Sequence, residues 1–308
     1  MTNWIQAARL RTLPLSISGI IIGSFTARWR LLSEGNKWDW QIFALAMLVT
    51  ILYQILSNFA NDYGDGVKGT DRLRTEKAEI RMVASGKISA QKMKSAVIIT
   101  AGLSLLATIA LLYKAFIPNY LPEFFIFLGL GVLCILAAIG YTVGKNSYGY
   151  MGLGDVMVFI FFGIVSVGGS YFLFTKIWSW DILLPASAVG MLSTAVLNLN
   201  NMRDMESDRL SGKKTFALRI GFRNAVTYQI VLMQLPLIFI LIFLMMNDLH
   251  IKKSYYPFIV MIMFFPMTAL RRKIMQTKDP KELDPFLKQT TIITLATAIL
   301  LACGLNFF

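Results

Sequence analysis

The sequence predicts an all-α, multi-pass membrane protein, and three observations carry that reading. Of the 308 residues 56% are hydrophobic and 15% charged, with a mean hydropathy of +0.60, too apolar for a domain with a water-facing surface. Nine stretches run uncharged for roughly 16 to 24 residues, close to the ~20 a helix needs to cross a hydrocarbon core. With the N-terminus inside, 23 of the 30 Lys and Arg fall on inner connectors and seven on outer ones, the positive-inside bias of an N-in, C-out chain.

The first expected span, about residues 12 to 27, is the shortest. No small-residue cleavage site leading into a soluble domain marks it as a signal peptide. The second, about 40 to 60, ends on the cluster Asn61-Asp62-Tyr63-Gly64-Asp65 and opens a long inner connector that reaches Lys94. The third covers about 95 to 113 and the fourth about 124 to 144, where Gly129 and Gly131 read as helix-packing positions. The fifth, about 156 to 175, follows Gly152-Leu153-Gly154-Asp155, and Gly163, Gly168 and Gly169 inside it are again packing glycines. Asp155 has two readings: a carboxylate favoured by a helix N-terminus, or an acid or base near an acceptor substrate. The sixth span, about 182 to 202, runs into a second cluster, Asn200-Asn201-Met202-Arg203-Asp204-Met205-Glu206-Ser207-Asp208. The seventh (about 224 to 247), eighth (about 254 to 270) and ninth (about 289 to 308) complete the series.

No soluble insertion interrupts the series, so residues 1–308 read as a single membrane domain. The two clusters follow the second and sixth spans, which suggests two four-helix repeats, about 12 to 144 and 156 to 270, plus a ninth helix at 289 to 308. An even number of helices separates the clusters and brings them to one membrane face. The net charge of +13 is spread over connectors, as topology requires, and does not point to nucleic acid. Cys134 and Cys303 lie inside spans as packing residues without a disulfide framework. The only histidine, His250, sits in an outer connector, which argues against a histidine base or a His-ligated zinc.

The clusters carry the chemistry. Six of the 17 acidic residues lie in or just after these two windows, more than interfacial capping needs. Asn61 and Asp65 are four apart, as are Asn200, Asp204 and Asp208, so each set stacks on one helical face and can converge on a cation. Oxygen donors of this kind suit Mg²⁺, held by a few carboxylates and by phosphate oxygens of a substrate. Candidate metal ligands are therefore Asn61, Asp62, Asp65, Asp71, Asn200, Asp204 and Asp208. Lys68, Arg72, Arg81, Lys213 and Lys214 follow the clusters and can donate charge-assisted hydrogen bonds to a diphosphate. Each also has a plainer reading as a positive-inside residue.

These motifs resemble the UbiA superfamily of intramembrane prenyltransferases, and in particular its 1,4-dihydroxy-2-naphthoate polyprenyltransferase branch. The resemblance rests on Asn61 through Asp71, Gly152 to Asp155, Asn200 through Asp208, Gly212-Lys213-Lys214-Thr215, and the opening Ala8-Arg9-Leu10-Arg11-Thr12-Leu13-Pro14. In the first motif the position four after Asp65 is Gly69 and the next acid is Asp71, a departure from the general superfamily pattern that is itself like the naphthoate branch. The resemblance implies nine helices around a central cavity, Mg²⁺ between two Asp-rich motifs, and a polyprenyl diphosphate donor. Catalytic roles are implied for Asp65, Asp204, Asp208 and Asp155. It further implies prenylation of 1,4-dihydroxy-2-naphthoate with loss of CO₂ to give a demethylmenaquinone, in a cell inner (cytoplasmic) membrane with the site facing the cytoplasm. Membrane lipid is the surrounding partner, with no nucleic acid and no obligate protein partner. Relatives acting on 4-hydroxybenzoate or another aromatic acceptor share the architecture. A membrane transporter is a distant alternative, because transporters place ionisable groups near the bilayer midplane. The Asp-Gly-x-x-Ala-Arg signature of CDP-alcohol phosphotransferases is absent.

Overall fold

A computed structural model describes residues 2–70, 81–247 and 255–306. Every regular element among them is helical: α1 (Thr2–Ala8), α2 (Leu13–Ser33), α3 (Trp40–Lys68), α4 (Ala90–Phe116), α5 (Leu121–Gly140), α6 (Gly154–Thr175), α7 (Leu183–Arg203), α8 (Met205–Leu210), α9 (Phe216–Met246), α10 (Phe264–Gln276) and α11 (Asp284–Asn306). Eight helical stretches among the described residues are long and apolar enough to cross a membrane, and the protein is an integral multi-pass membrane protein. The expected eighth span departs from the other eight. It is a 3₁₀ stretch, Tyr256–Met263, running into α10, whose last turns carry Arg271, Arg272 and Lys273.

The helices begin and end where the sequence supplies caps. Asp39 accepts from the Gln41 amide at 2.8 Å to start α3, and Gly69, at φ 77°, ends it in the left-handed conformation that glycine tolerates. Ser89 and Thr215 cap α4 and α9 through Lys92 and Leu218. Apolar side chains then sort by environment. Ile126, Leu133 and Leu136 on α5 are more than half exposed, as lipid contact permits. On α7, Ala186, Ala188, Leu192, Ala195 and Leu199 are fully buried.

Close approach of α6 to α7 depends on missing side chains. A Cβ on Gly163 would stand 2.6 Å from the Ala186 carbonyl oxygen, and one on Gly190 would stand 2.8 Å from that of Phe159. The middle of α6, Phe159–Gly168, is wound as a π-helix, and Phe161, Phe162, Val165 and Ser166 within it line a central cavity. Thr290, Thr291, Thr294 and Thr297 on α11 each bond the carbonyl four residues back, so their hydroxyls stay satisfied in an apolar setting. At the end of the bundle remote from the two clusters, Arg30 of α2 pairs with Asp181 and donates to Tyr171 Oη at 2.7 Å. Asn247 joins them through a 2.9 Å bond to Asp181, tying four spans together at their ends.

Candidate functional site

Helix periodicity builds one wall of a central cavity of about 390 Å³. Along α3, Ala46, Val49, Tyr53, Gln54, Asn58, Asn61 and Asp65 line it, the three- and four-residue steps of a single helical face. The wall changes character along its length. Asn61 and Asp65 form its polar end, and Ala46 and Val49 stand about 18 to 28 Å away at 1.5 Å per residue. There they are joined by Leu112, Phe127 and Leu173 from α4, α5 and α6.

The facing wall is α7 and the segment after it. Asn200, Asp204 and Asp208 all line the cavity, although the helix expected to carry them is interrupted: α7 stops at Arg203, and Asp204 (φ −96°, ψ 10°) joins it to α8. Amide bonds from Asp204 to the Asn200 carbonyl (3.0 Å) and from Asp208 to that of Asp204 (2.8 Å) preserve the spacing. Lys213 links the two motifs. Its Nζ lies 3.4 Å from Asp65 Oδ2 and 3.8 Å from Asp208 Oδ1, so one cation stands between carboxylates from sequence positions far apart. Arg81 also lines the cavity, together with Arg9, Arg11 and Lys288.

Several expected site residues stand elsewhere. Asp62 is turned about 100° round α3 from Asn61 and does not line the cavity. It is buried, and its two oxygens accept from the amides of Met82 and Val83, each at 3.0 Å, which anchors the later part of the inner connector. Lys68 lies behind Tyr150, with its Nζ 4.0 Å from the ring centroid and 2.6 Å from Ser147 Oγ. Lys214 is exposed, and its amide bonds the Tyr150 carbonyl at 3.0 Å. Asp155 is not a wall residue of this cavity; it lines a separate hollow of about 240 Å³ with Phe159, Thr194, Phe216, Tyr228 and others. Asp71, Arg72 and His250 lie outside the described residues.

Other groups at the site escaped the motif reading. Tyr150 donates its phenol to Asp65 Oδ1 at 2.8 Å and pairs with Thr70 Oγ1 at 2.6 Å. Tyr141 forms part of the cavity wall. Arg203 has a fully buried side chain. It bonds both oxygens of Asp204 (2.7 and 2.8 Å), Asn200 Oδ1 (2.7 Å) and Asp284 of α11. By sequence Arg203, after Asn200-Asn201-Met202, reads as one more inner-face cation, and only its neighbours on both sides mark it as part of the site.

The donors fit a hard divalent cation. Asn61, Asp65, Asp204 and Asp208 offer only oxygen, the ligand type of Mg²⁺, and the Lys213 ammonium already stands where positive charge is stabilised. Among the described residues no three acidic, His or Cys side chains form a closed metal cage. An ion here would complete its shell from a ligand, as Mg²⁺ does with substrate phosphates.

Known proteins resemble this chain in sequence and in fold. The UbiA prenyltransferase family matches residues 21–293. The chain is 39% identical to a 1,4-dihydroxy-2-naphthoate octaprenyltransferase of Haemophilus influenzae, over 98% of this chain and 95% of that protein. It is also 39% identical to the Escherichia coli protein of that name, over 98% and 94%. A Mycobacterium tuberculosis protein of that name is 32% identical, over 99% and 97%. A solved chain from work on digeranylgeranylglyceryl phosphate synthase in membranes shares the fold, with a TM-score of 0.58, 18% identity, and coverage of 100% of this chain and 99% of that one.

Proposed function

The chain belongs to the UbiA prenyltransferase family, and from that premise we infer that it transfers a polyprenyl chain from polyprenyl diphosphate to 1,4-dihydroxy-2-naphthoate with loss of CO₂, a step of menaquinone biosynthesis. The names of relatives covering nearly the whole chain support the acceptor. The observation that carries the chemistry is Lys213, set between Asp65 and Asp208 at the polar end of a cavity whose lining includes Ala46, Val49, Leu112, Phe127 and Leu173 away from it.

In this reading the diphosphate lies at the polar end and the isoprenoid tail extends along the apolar end. Asp65, Asp204 and Asp208 would hold Mg²⁺, with Asn61 beside them, and Asp62 is left out of the set. The chemistry expected of Mg²⁺ there is neutralisation of charge on the departing diphosphate. Lys213 and Arg81 share that charge through hydrogen bonds to phosphate oxygens. The allylic C–O bond breaks with its electron pair leaving on the diphosphate. The ring carbon bearing the carboxylate attacks the allylic carbon, and the C–CO₂ electron pair returns to the ring as CO₂ departs, giving demethylmenaquinone in its hydroquinone form. Leu112, Phe127, Leu173 and their neighbours enclose the isoprenoid tail at the far end. The positive-inside bias supports a site that opens to the cytoplasm from the inner membrane.

The test uses purified protein in lipid nanodiscs, supplied with polyprenyl diphosphate and either 1,4-dihydroxy-2-naphthoate or 4-hydroxybenzoate, with products weighed by mass spectrometry. Preferred turnover of the naphthoate, lost on chelation and restored by Mg²⁺, is expected. Turnover of 4-hydroxybenzoate alone, or turnover indifferent to chelation, would overturn the reading.

A further inference from the structure

Spacing alone makes Asn200, Asp204 and Asp208 three equivalent ligands, but the structure separates the first from the other two. A guanidinium offers five N–H donors and no acceptor. Arg203, buried without solvent contact, directs Nε and Nη2 to the two oxygens of Asp204 and a further Nη2 hydrogen to Asn200 Oδ1 at 2.7 Å. Its Nη1 is taken by Asp284. Because this partner can only donate, the amide of Asn200 must present its oxygen to Arg203 and its NH₂ the other way. Asn200 is a wall residue of the cavity, and among the described residues its Nδ2 has no acceptor.

We propose that Arg203 is a positioning residue that fixes Asn200 as an amide N–H donor to the diphosphate of the prenyl donor, not as a ligand of the metal. The proposal rests on the diphosphate-binding reading above and assigns roles within that same site. Charge supports the assignment. An ion bonded to Asn200 Oδ1 would stand within about 5 Å of a buried guanidinium, adding the ~2.1 Å of a Mg–O bond to the hydrogen bond, and a neutral amide brings no charge to offset that repulsion. Asp204 makes the same contact with a carboxylate, whose charge the guanidinium balances and whose remaining lone pairs stay available. Asp284 holds the far side of the guanidinium and also lies 3.8 Å from Arg11, so the orientation is set from the start of α11 as well as from α7.

The experiment measures binding by the full purified chain. Mn²⁺ alone is titrated by electron paramagnetic resonance, and inorganic diphosphate in the presence of Mg²⁺ by calorimetry, for wild type, Asn200→Ala and Asn200→Asp. An anion donor predicts Mn²⁺ binding by Asn200→Ala within about threefold of wild type. Diphosphate affinity should fall about tenfold in Asn200→Ala, the loss of one charge-assisted hydrogen bond. It should fall further in Asn200→Asp, whose carboxylate repels the ligand. A metal ligand predicts the opposite order: Asn200→Ala loses Mn²⁺, and Asn200→Asp binds both probes at least as well as wild type. That order would overturn the proposal. Arg203→Lys tests positioning, since it should weaken diphosphate binding and leave little for Asn200→Ala to remove in the double variant. Additive losses would refute the positioning role. If wild type binds neither probe, the diphosphate-site reading itself fails, which is a result distinct from a reversed order among variants.

Discussion

Replacing Tyr150 by Phe removes one oxygen and leaves the ring, which makes it a clean probe of how Asp65 is held. The phenol gives its only hydrogen to Asp65 Oδ1 at 2.8 Å, so Thr70 must be the donor in the 2.6 Å contact. Phenylalanine keeps the aromatic face that Lys68 and Lys213 approach, at 4.0 and 4.8 Å from the centroid. A hydrogen bond to a charged group contributes about 1.5 to 3 kcal/mol. At 1.36 kcal/mol per tenfold, losing it should lower kcat/KM by about 10- to 150-fold if the bond serves to orient the carboxylate. The low end is the better expectation, because Lys213 still reaches Asp65 Oδ2 at 3.4 Å. The assay is steady-state prenyl transfer in nanodiscs across a range of Mg²⁺, with thermal melting in parallel. A variant with kcat/KM within twofold of wild type and unchanged Mg²⁺ dependence would refute the claim that Tyr150 orients Asp65.

Replacing Asp65, Asp204 or Asp208 by Asn should each cut turnover by roughly 100-fold or more while membrane insertion, read by fractionation, stays at the wild-type level; full activity in all three would exclude the proposed ion site. Asp62→Asn should behave differently: an amide cannot accept from the Met82 and Val83 amides with both of its ends, so it should lower stability by about 1 to 3 kcal/mol with near-normal Mg²⁺ dependence of the folded fraction. A wild-type melting curve combined with a raised Mg²⁺ requirement would return Asp62 to the site. Cysteines placed at Lys87, Lys214 and Lys278 should label from the cytoplasmic side and one at Gly35 from the other, in a background lacking Cys134 and Cys303; labelling of residues 87 and 214 from opposite sides would defeat the single-face arrangement.

How far the sequence carried these conclusions differs by element. Uncharged runs locate the crossings because burial of charge in lipid is costly, but they place helix ends too early: α3 continues past residue 60 to Lys68, carrying the first cluster on its last turns. Four-residue spacing singled out Asn61 with Asp65, and Asn200 with Asp204 and Asp208, since that spacing maps directly onto a helical face. It could not separate Asp62, adjacent in sequence but on another face, nor foresee the break at Asp204. Tyr141 and Tyr150 lie around a connector without periodicity, and only the folded chain brings them to the carboxylates. Arg203 and Lys213 carry the same charge, and composition treats them alike. One is buried in service of a neighbouring carboxylate and the other stands between the two motifs.

The central claim is transfer of the prenyl chain to the ring carbon that bears the carboxylate. 1,4-Dihydroxy-2-naphthoate labelled with ¹³C at the carboxyl carbon, incubated with purified protein, polyprenyl diphosphate and Mg²⁺, tests it most directly. Labelled CO₂ should appear in step with an unlabelled prenylated product, one equivalent for each chain transferred. A prenylated product that keeps the label would contradict the account of the acceptor.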